Sequence, residues 1–139
     1  MRKNWIKPRN FGGFSAVKIL LDTHSLAWFL TSSSKLSNKA RETIISADII
    51  FLPTIVLLEA YHVSKKLRFE SGSNLFLSKL PTPAFQVIPL DLTTVDSYIN
   101  LEGDLEIHDR IIVSSARLSN LPIVTKDRKI SKIYPKVIW

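Results

Sequence analysis

The chain contains no cysteine. Disulfides, zinc–thiolate sites and cysteine nucleophiles are therefore excluded, and the expected address is cytoplasmic. No stretch approaches the ~20 apolar residues of a membrane-spanning helix, so no membrane association is expected. Residues 1–16 lack the apolar core of ~7–15 residues that a secretory signal needs. A glycine-rich phosphate loop is also missing: Gly12 and Gly13 precede the first patterned segment, and no G-x-x-x-x-G-K-[ST] arrangement occurs. There is no internal repeat. Acidic residues are outnumbered, 12 against 19 basic ones, which leaves a net charge of +7. A basic surplus of this size points to a polyanion such as nucleic acid, or to an acidic protein partner.

What is present fits one domain. A chain of 139 residues with 45% hydrophobic content can bury a core without staples. Its charge is uneven, because Arg2, Lys3, Lys7 and Arg9 supply +4 of the total within the first 16 residues, where no acid occurs. This leader shows no periodicity and is expected to be disordered or a gene-start artefact, with Val17 a conceivable GTG start. The patterned domain is expected to span residues 17–139.

From Val17 onward, short apolar runs alternate with helical patterns. Strands are expected at 17–21, 48–52, 85–88 and 123–125, with a short edge strand at 137–139. Helices are expected at 25–30, at 38–45 behind a Ser37 cap, and from Thr54 to about Leu67 with Ile55, Leu58 and Tyr61 on one face. Further helices are expected at 71–80, from Thr93 or Thr94 to near Gly103, and at 108–119 with Asn120 as the stop. Continuous apolar strands separated by helices indicate a parallel sheet covered on both faces. The expected fold class is α/β: a single three-layer α/β/α domain with a central, mostly parallel sheet of four or five short strands.

Four acids stand at unusual places. Asp22 follows the first strand in Leu20-Leu21-Asp22-Thr23-His24, and Asp127 follows the fourth in Val124-Thr125-Lys126-Asp127. Asp109 opens a helix in Ile107-His108-Asp109-Arg110, and Glu59 interrupts the apolar stretch Ile55-Val56-Leu57-Leu58. In right-handed βαβ units, helix N-termini lie at the carboxyl edge of the strands, where open α/β sheets bind ligands. Four carboxylates converging there would not all stay ionised without compensation. A divalent cation is the simplest compensation, and all-oxygen ligation favours Mg²⁺ or Mn²⁺ over Zn²⁺. Each acid also has a plainer explanation: Asp22 as a helix cap, Asp109 as a partner of the helix dipole, Asp127 as a solvated turn. Glu59 is harder to dismiss, since an unpaired charge on an apolar helix face is costly.

At these residues the chain resembles the PIN domain, specifically VapC-type toxins of toxin–antitoxin pairs. The resemblance spans about residues 17–139. It rests on Leu20-Leu21-Asp22-Thr23-His24-Ser25-Leu26-Ala27-Trp28, Leu57-Leu58-Glu59-Ala60, Ile107-His108-Asp109-Arg110-Ile111-Ile112-Val113 and Leu121-Pro122-Ile123-Val124-Thr125-Lys126-Asp127, with Tyr134-Pro135-Lys136-Val137-Ile138-Trp139 closing the chain. It implies a Mg²⁺- or Mn²⁺-dependent ribonuclease whose metal site is formed by Asp22, Glu59, Asp109 and Asp127, supported by Thr23 and Thr125. It also implies a homodimer and a cognate antitoxin that covers the acidic cleft. Typical members lack the leader.

Other residues bear on this expectation. Arg110, Lys126 and Arg128 flank the acids and are candidates for RNA phosphate contacts, or for a solvated face. Glu102, Asp104 or Glu106 could assist Asp109. His108 could act as a general acid, although capping or exposure accounts for it as well; His24 is expected to pack or cap. Ser25 has no base at a defined spacing, and Trp28, Phe29 and Phe51 read as core. A haloacid-dehalogenase-type phosphatase would need a second Asp where His24 stands, and a receiver domain would need an early acidic pair. The alternative from another class is an inactive RNA- or antitoxin-binding module, which the retention of all four acids disfavours.

Overall fold

The computed structural model describes residues 15–66, 78, 80 and 84–139. The leader expected at residues 1–16 and the helix expected at 71–80 lie almost wholly outside the described residues. Five strands form one sheet: β1 (Lys18–Leu21), β2 (Ile49–Pro53), β3 (Phe85–Ile88), β4 (Ile123–Val124) and β5 (Val137–Ile138). Six described helices accompany them: α1 (Thr23–Leu30), α2 (Asn38–Ser46), α3 (Thr54–Lys66), α4 (Leu92–Asn100), α5 (Ile107–Ser119) and α6 (Arg128–Ile133). Strand order is β3-β2-β1-β4-β5 and every pairing is parallel.

The central strand explains the architecture. Ile19, Leu20 and Leu21 are all fully buried, so successive side chains on both faces of β1 are covered. They join Leu26, Ile44, Leu52, Val56, Ile112, Val113, Ile123 and Ile130 in one core, which makes an α/β/α domain. Trp28, Phe29 and Phe51 are half-buried against it. Strand order fixes where a ligand crevice can form. The chain moves from β1 to β2 and β3 on one side, then returns to place β4 and β5 on the other. The reversal lies between β1 and β4, and open α/β sheets form their ligand crevice beyond such a point. Among the described residues, no helix is long and apolar enough to cross a membrane.

Several helix boundaries follow from local chemistry. The Ser37 hydroxyl accepts from the Ala40 amide at 3.0 Å and opens α2. Asn120 takes the left-handed conformation (φ 51°, ψ 47°) and stops α5, its amide bonding back to Ala116 and Arg117. Two expectations are corrected. Asp91, rather than Thr93 or Thr94, caps α4, accepting from the Thr94 amide at 2.9 Å. Leu58 is 57% exposed, and α3 buries Val56 and Ala60 instead. The segment 128–133, which shows no clear periodicity, forms α6 because Asp127 caps it and Ile130 is fully buried.

The connection from α4 to α5 is gathered around one cation. The Arg110 guanidinium donates to the carbonyls of Tyr98 (2.9 Å), Gly103 (2.8 Å) and Leu101, and lies 5.0 Å from the Tyr98 ring centre. Gly103 has φ +106°, a conformation that L side chains rarely adopt. Arg110 is thus a brace for this turn. Replacing Arg110 with Ala is expected to destabilise the fold by about 2–3 kcal/mol, since hydrogen bonds to charged groups contribute most of that. Lys126→Ala or Arg128→Ala, at exposed positions, should stay within about 0.5 kcal/mol of the wild type. Urea unfolding checks this, and an Arg110→Ala protein of unchanged stability contradicts the brace.

Candidate active site

Asp22 leaves β1 and immediately caps α1. Its Oδ1 accepts from the Ser25 amide at 2.9 Å, and its Oδ2 accepts from the Thr125 hydroxyl beyond β4. The plain reading of Asp22 as a helix cap is therefore realised, but one oxygen does the capping while the other reaches across the strand reversal. The Ser25 hydroxyl donates to the Val124 carbonyl at 2.8 Å, which ties the same helix turn to β4. Asp22 is only 7% exposed. Burial pushes its pKa above 3.8, and the donors Thr125 and Ser25, with His24 nearby, offset part of that rise.

Asp127 is connected to this carboxylate through one hydroxyl. Thr125 Oγ1 donates to Asp22 and accepts from the Asp127 amide at 3.0 Å. Asp127 Oδ1 in turn accepts from the amides of Lys129 (2.7 Å) and Ile130 (3.2 Å), opening α6. Glu59 reaches the same edge from α3. The Thr23 hydroxyl donates to its Oε1 at 2.9 Å, and His108 Nδ1 lies 2.9 Å from its Oε2. Thr23 and Thr125 each hold a different carboxylate, so two adjacent-hydroxyl contacts link α1 to α3 and β1 to β4.

Asp109, half-buried in the first turn of α5, reports how these groups act together. Its pKa is raised from 3.8 to about 6, first by burial and then by the charges of Asp127, Glu106, Asp22 and Glu59. All three other sequence-selected acids thus lie close enough to repel it. Glu106 joins them and also caps α5, accepting from the His108 amide at 2.9 Å; Glu102 and Asp104 are exposed. Among the described residues, no Lys or Arg pairs with Asp22, Glu59, Asp109 or Asp127. Nor do three His, Asp or Glu side chains there approach closely enough to form a ready-made ligand group. The donor chemistry still suits a hard divalent cation: four carboxylates, all oxygen, with excess negative charge at the centre.

The candidate phosphate contacts separate into two kinds. Lys126 and Arg128 are exposed on either side of Asp127. Arg110 is committed to the carbonyls of Tyr98, Leu101 and Gly103, so its fork faces the backbone rather than a ligand. Sequence reasoning misses two connections. Ser25 anchors Asp22 and β4, a role that its position three residues after a capping Asp foreshadows. The contact between His108 and Glu59 joins α5 to α3 and has no signal in local spacing.

The shift at Asp109 has a consequence for stability. Between pH 3.8 and about 6 the folded state holds a proton there that the unfolded state releases, so this group's contribution falls as pH rises. Allowing for its half exposure, the ionised group costs the fold about 1–2 kcal/mol above pH 6. With chelator present, Asp109→Asn is expected to exceed wild-type stability at pH 7.5 and lose that advantage near pH 4. Urea midpoints at both pH values test this; a variant less stable than wild type at pH 7.5 contradicts it.

Comparisons with known proteins bear on the fold and the family. A family profile for the PIN domain matches residues 19–136. No curated protein matches the chain by sequence. Among solved structures, a toxin–antitoxin complex from Klebsiella pneumoniae is similar at 23% identity, with a TM-score of 0.67 over 87% of this chain and 96% of the other. VapBC2 from Rickettsia felis, bound to a promoter DNA fragment, is 20% identical, with a TM-score of 0.61 and the same coverage. VapC20 from Mycobacterium tuberculosis, a toxin that cleaves the sarcin–ricin loop, is 14% identical, with a TM-score of 0.63 over 82% of this chain and 93% of that one. These likenesses establish the fold, and the profile spans most of the sequence: the chain belongs to the PIN domain family.

Proposed function

We propose that the chain is a divalent-cation-dependent ribonuclease, the toxin of a toxin–antitoxin pair. The observation that carries this reading is the convergence of Asp22, Glu59 and Asp127 on Asp109 at the strand reversal, where burial first, and then their charges, raise its pKa to about 6. Asp22 and Asp109 would hold a Mg²⁺ or Mn²⁺ ion, and Glu59 and Asp127 would complete or orient its surroundings. A bound ion of this kind neutralises charge at the scissile phosphate and supplies hydroxide at neutral pH. Thr125 keeps Asp22 and the start of α6 in fixed relation, and Thr23 does the same for Glu59. Lys126 and Arg128, exposed on either side of Asp127, would attract RNA phosphates around the negative centre. In this reading residues 17–139 are the nuclease domain and the protein works in the cytoplasm.

The partners follow from relatives and from surface. Structures of similar fold include a toxin–antitoxin complex, which supports a cognate antitoxin here. A homodimer is supported by α4, where Leu92, Val95 and Ile99 recur at helical spacing and remain 84%, 42% and 70% exposed. An apolar stripe of this kind is unusual on a free surface and suits an isologous contact.

Two measurements test the reading. With Mn²⁺ or Mg²⁺, the wild type should cleave RNA and chelator should stop it. Asp22→Asn should lower cleavage by more than about 100-fold while keeping the fold. Metal-independent cleavage, or a fully active Asn variant, sinks the assignment; wild-type RNA binding with no cleavage would favour the inactive binding module. For assembly, light scattering should show a dimer that Ile99→Glu converts to a monomer, and a wild-type monomer at micromolar concentration contradicts it.

A further inference from the structure

His108 stands inside the site but outside the metal-centred chemistry. It lies between Glu59 and Glu106, with Nδ1 2.9 Å from Glu59 Oε2 and 3.3 Å from Glu106 Oε1. Ionised carboxylates only accept, so between the two of them Nδ1 carries the proton and is the donor. The opposite oxygen of Glu59 already accepts from Thr23 at 2.9 Å. The carboxylate is therefore gripped at both oxygens, by α1 on one side and α5 on the other, while its own backbone belongs to α3.

That grip answers a physical need. Glu has three rotatable bonds, and Glu59 is only partly buried, its side chain 28% exposed. Neighbouring negative charge would drive a free Glu59 away from Asp22 and Asp109. Two donors fix the plane of the carboxylate and leave one lone pair on each oxygen for a further partner. Glu106 steadies the imidazole in turn: it caps α5 through the His108 amide at 2.9 Å and meets the same ring nitrogen.

We infer that His108 is a positioning residue for Glu59, holding that carboxylate in the site through Nδ1 rather than exchanging protons with substrate. The inference rests on the reading of Glu59 as part of the nuclease site. A substitution series separates orientation from general acid chemistry, because the Asn side-chain amide can place an N–H where Nδ1 stands but cannot act as an acid.

His108→Ala is expected to lower the cleavage rate and the Mn²⁺ affinity by about 10–100-fold, the usual effect of removing a partner that orients a ligand. His108→Asn should recover most of both, and neither variant should shift the melting temperature by more than a few degrees. Without metal, ring ¹⁵N spectra of the wild type should show a protonated Nδ1 whose resonance moves in Glu59→Gln. An Asn variant as defective as Ala, a fully active Ala variant, or an imidazole indifferent to Glu59→Gln each overturns the inference. If the wild type cleaves no RNA, the functional reading fails separately, and Mn²⁺ affinity with the ring resonance then decides the role of His108.

Discussion

A nearly buried carboxylate at the point where strand order reverses is the constraint around which this domain is arranged. Asp22 must be satisfied without water, and each of its oxygens finds a donor on a different element. Ser25 supplies the first turn of α1, and Thr125 supplies the end of β4. Because the Thr125 hydroxyl also receives the Asp127 amide, the position of α6 follows from the same contact. One charge thereby sets the mutual placement of β1, α1, β4 and α6.

That charge is not isolated, and its companions make the arrangement costly. Burial and four neighbouring acids hold Asp109 near pKa 6, so the folded chain carries unfavourable electrostatic energy at neutral pH. Evolution keeps such strain where function needs it, and the rest of the fold must offset it. Here the offset is a strand buried on both faces and a turn braced by Arg110. The net charge of +7 takes on a different meaning in this setting. Arg2, Lys3, Lys7 and Arg9 supply +4 of it, so residues 17–139 carry only +3, with a locally negative centre around Asp109.

Most of the fold is legible in the sequence because β1 and β2 are short, largely apolar runs with few alternatives. Residues 85–88 form a strand at the expected bounds. Legibility fails where two local explanations compete. Asp91 and Thr94 are both capping residues, and only the folded backbone shows which one serves α4. The unbroken stretch Ile55-Val56-Leu57-Leu58 does not reveal the phase of α3, so its periodicity points Leu58 inward although the side chain faces out. Helix α6 is six residues long and mostly polar, and its formation depends on a cap and one buried isoleucine. The four acids can be selected locally: Asp22 and Asp127 from strand ends, Asp109 from a helix start and Glu59 from its interruption of an apolar stretch. Their partners cannot, since Thr23 with Glu59, Thr125 with Asp22 and His108 with Glu59 are all contacts between distant segments.

The central claim is that these carboxylates together hold a divalent cation. Anomalous scattering from crystals soaked in Mn²⁺ tests it most directly. The account predicts a single dominant peak within bonding distance of Asp22 and Asp109, lost in Asp22→Asn. Saturating Mn²⁺ with no peak at this edge, or a peak that survives the substitution unchanged, would contradict it.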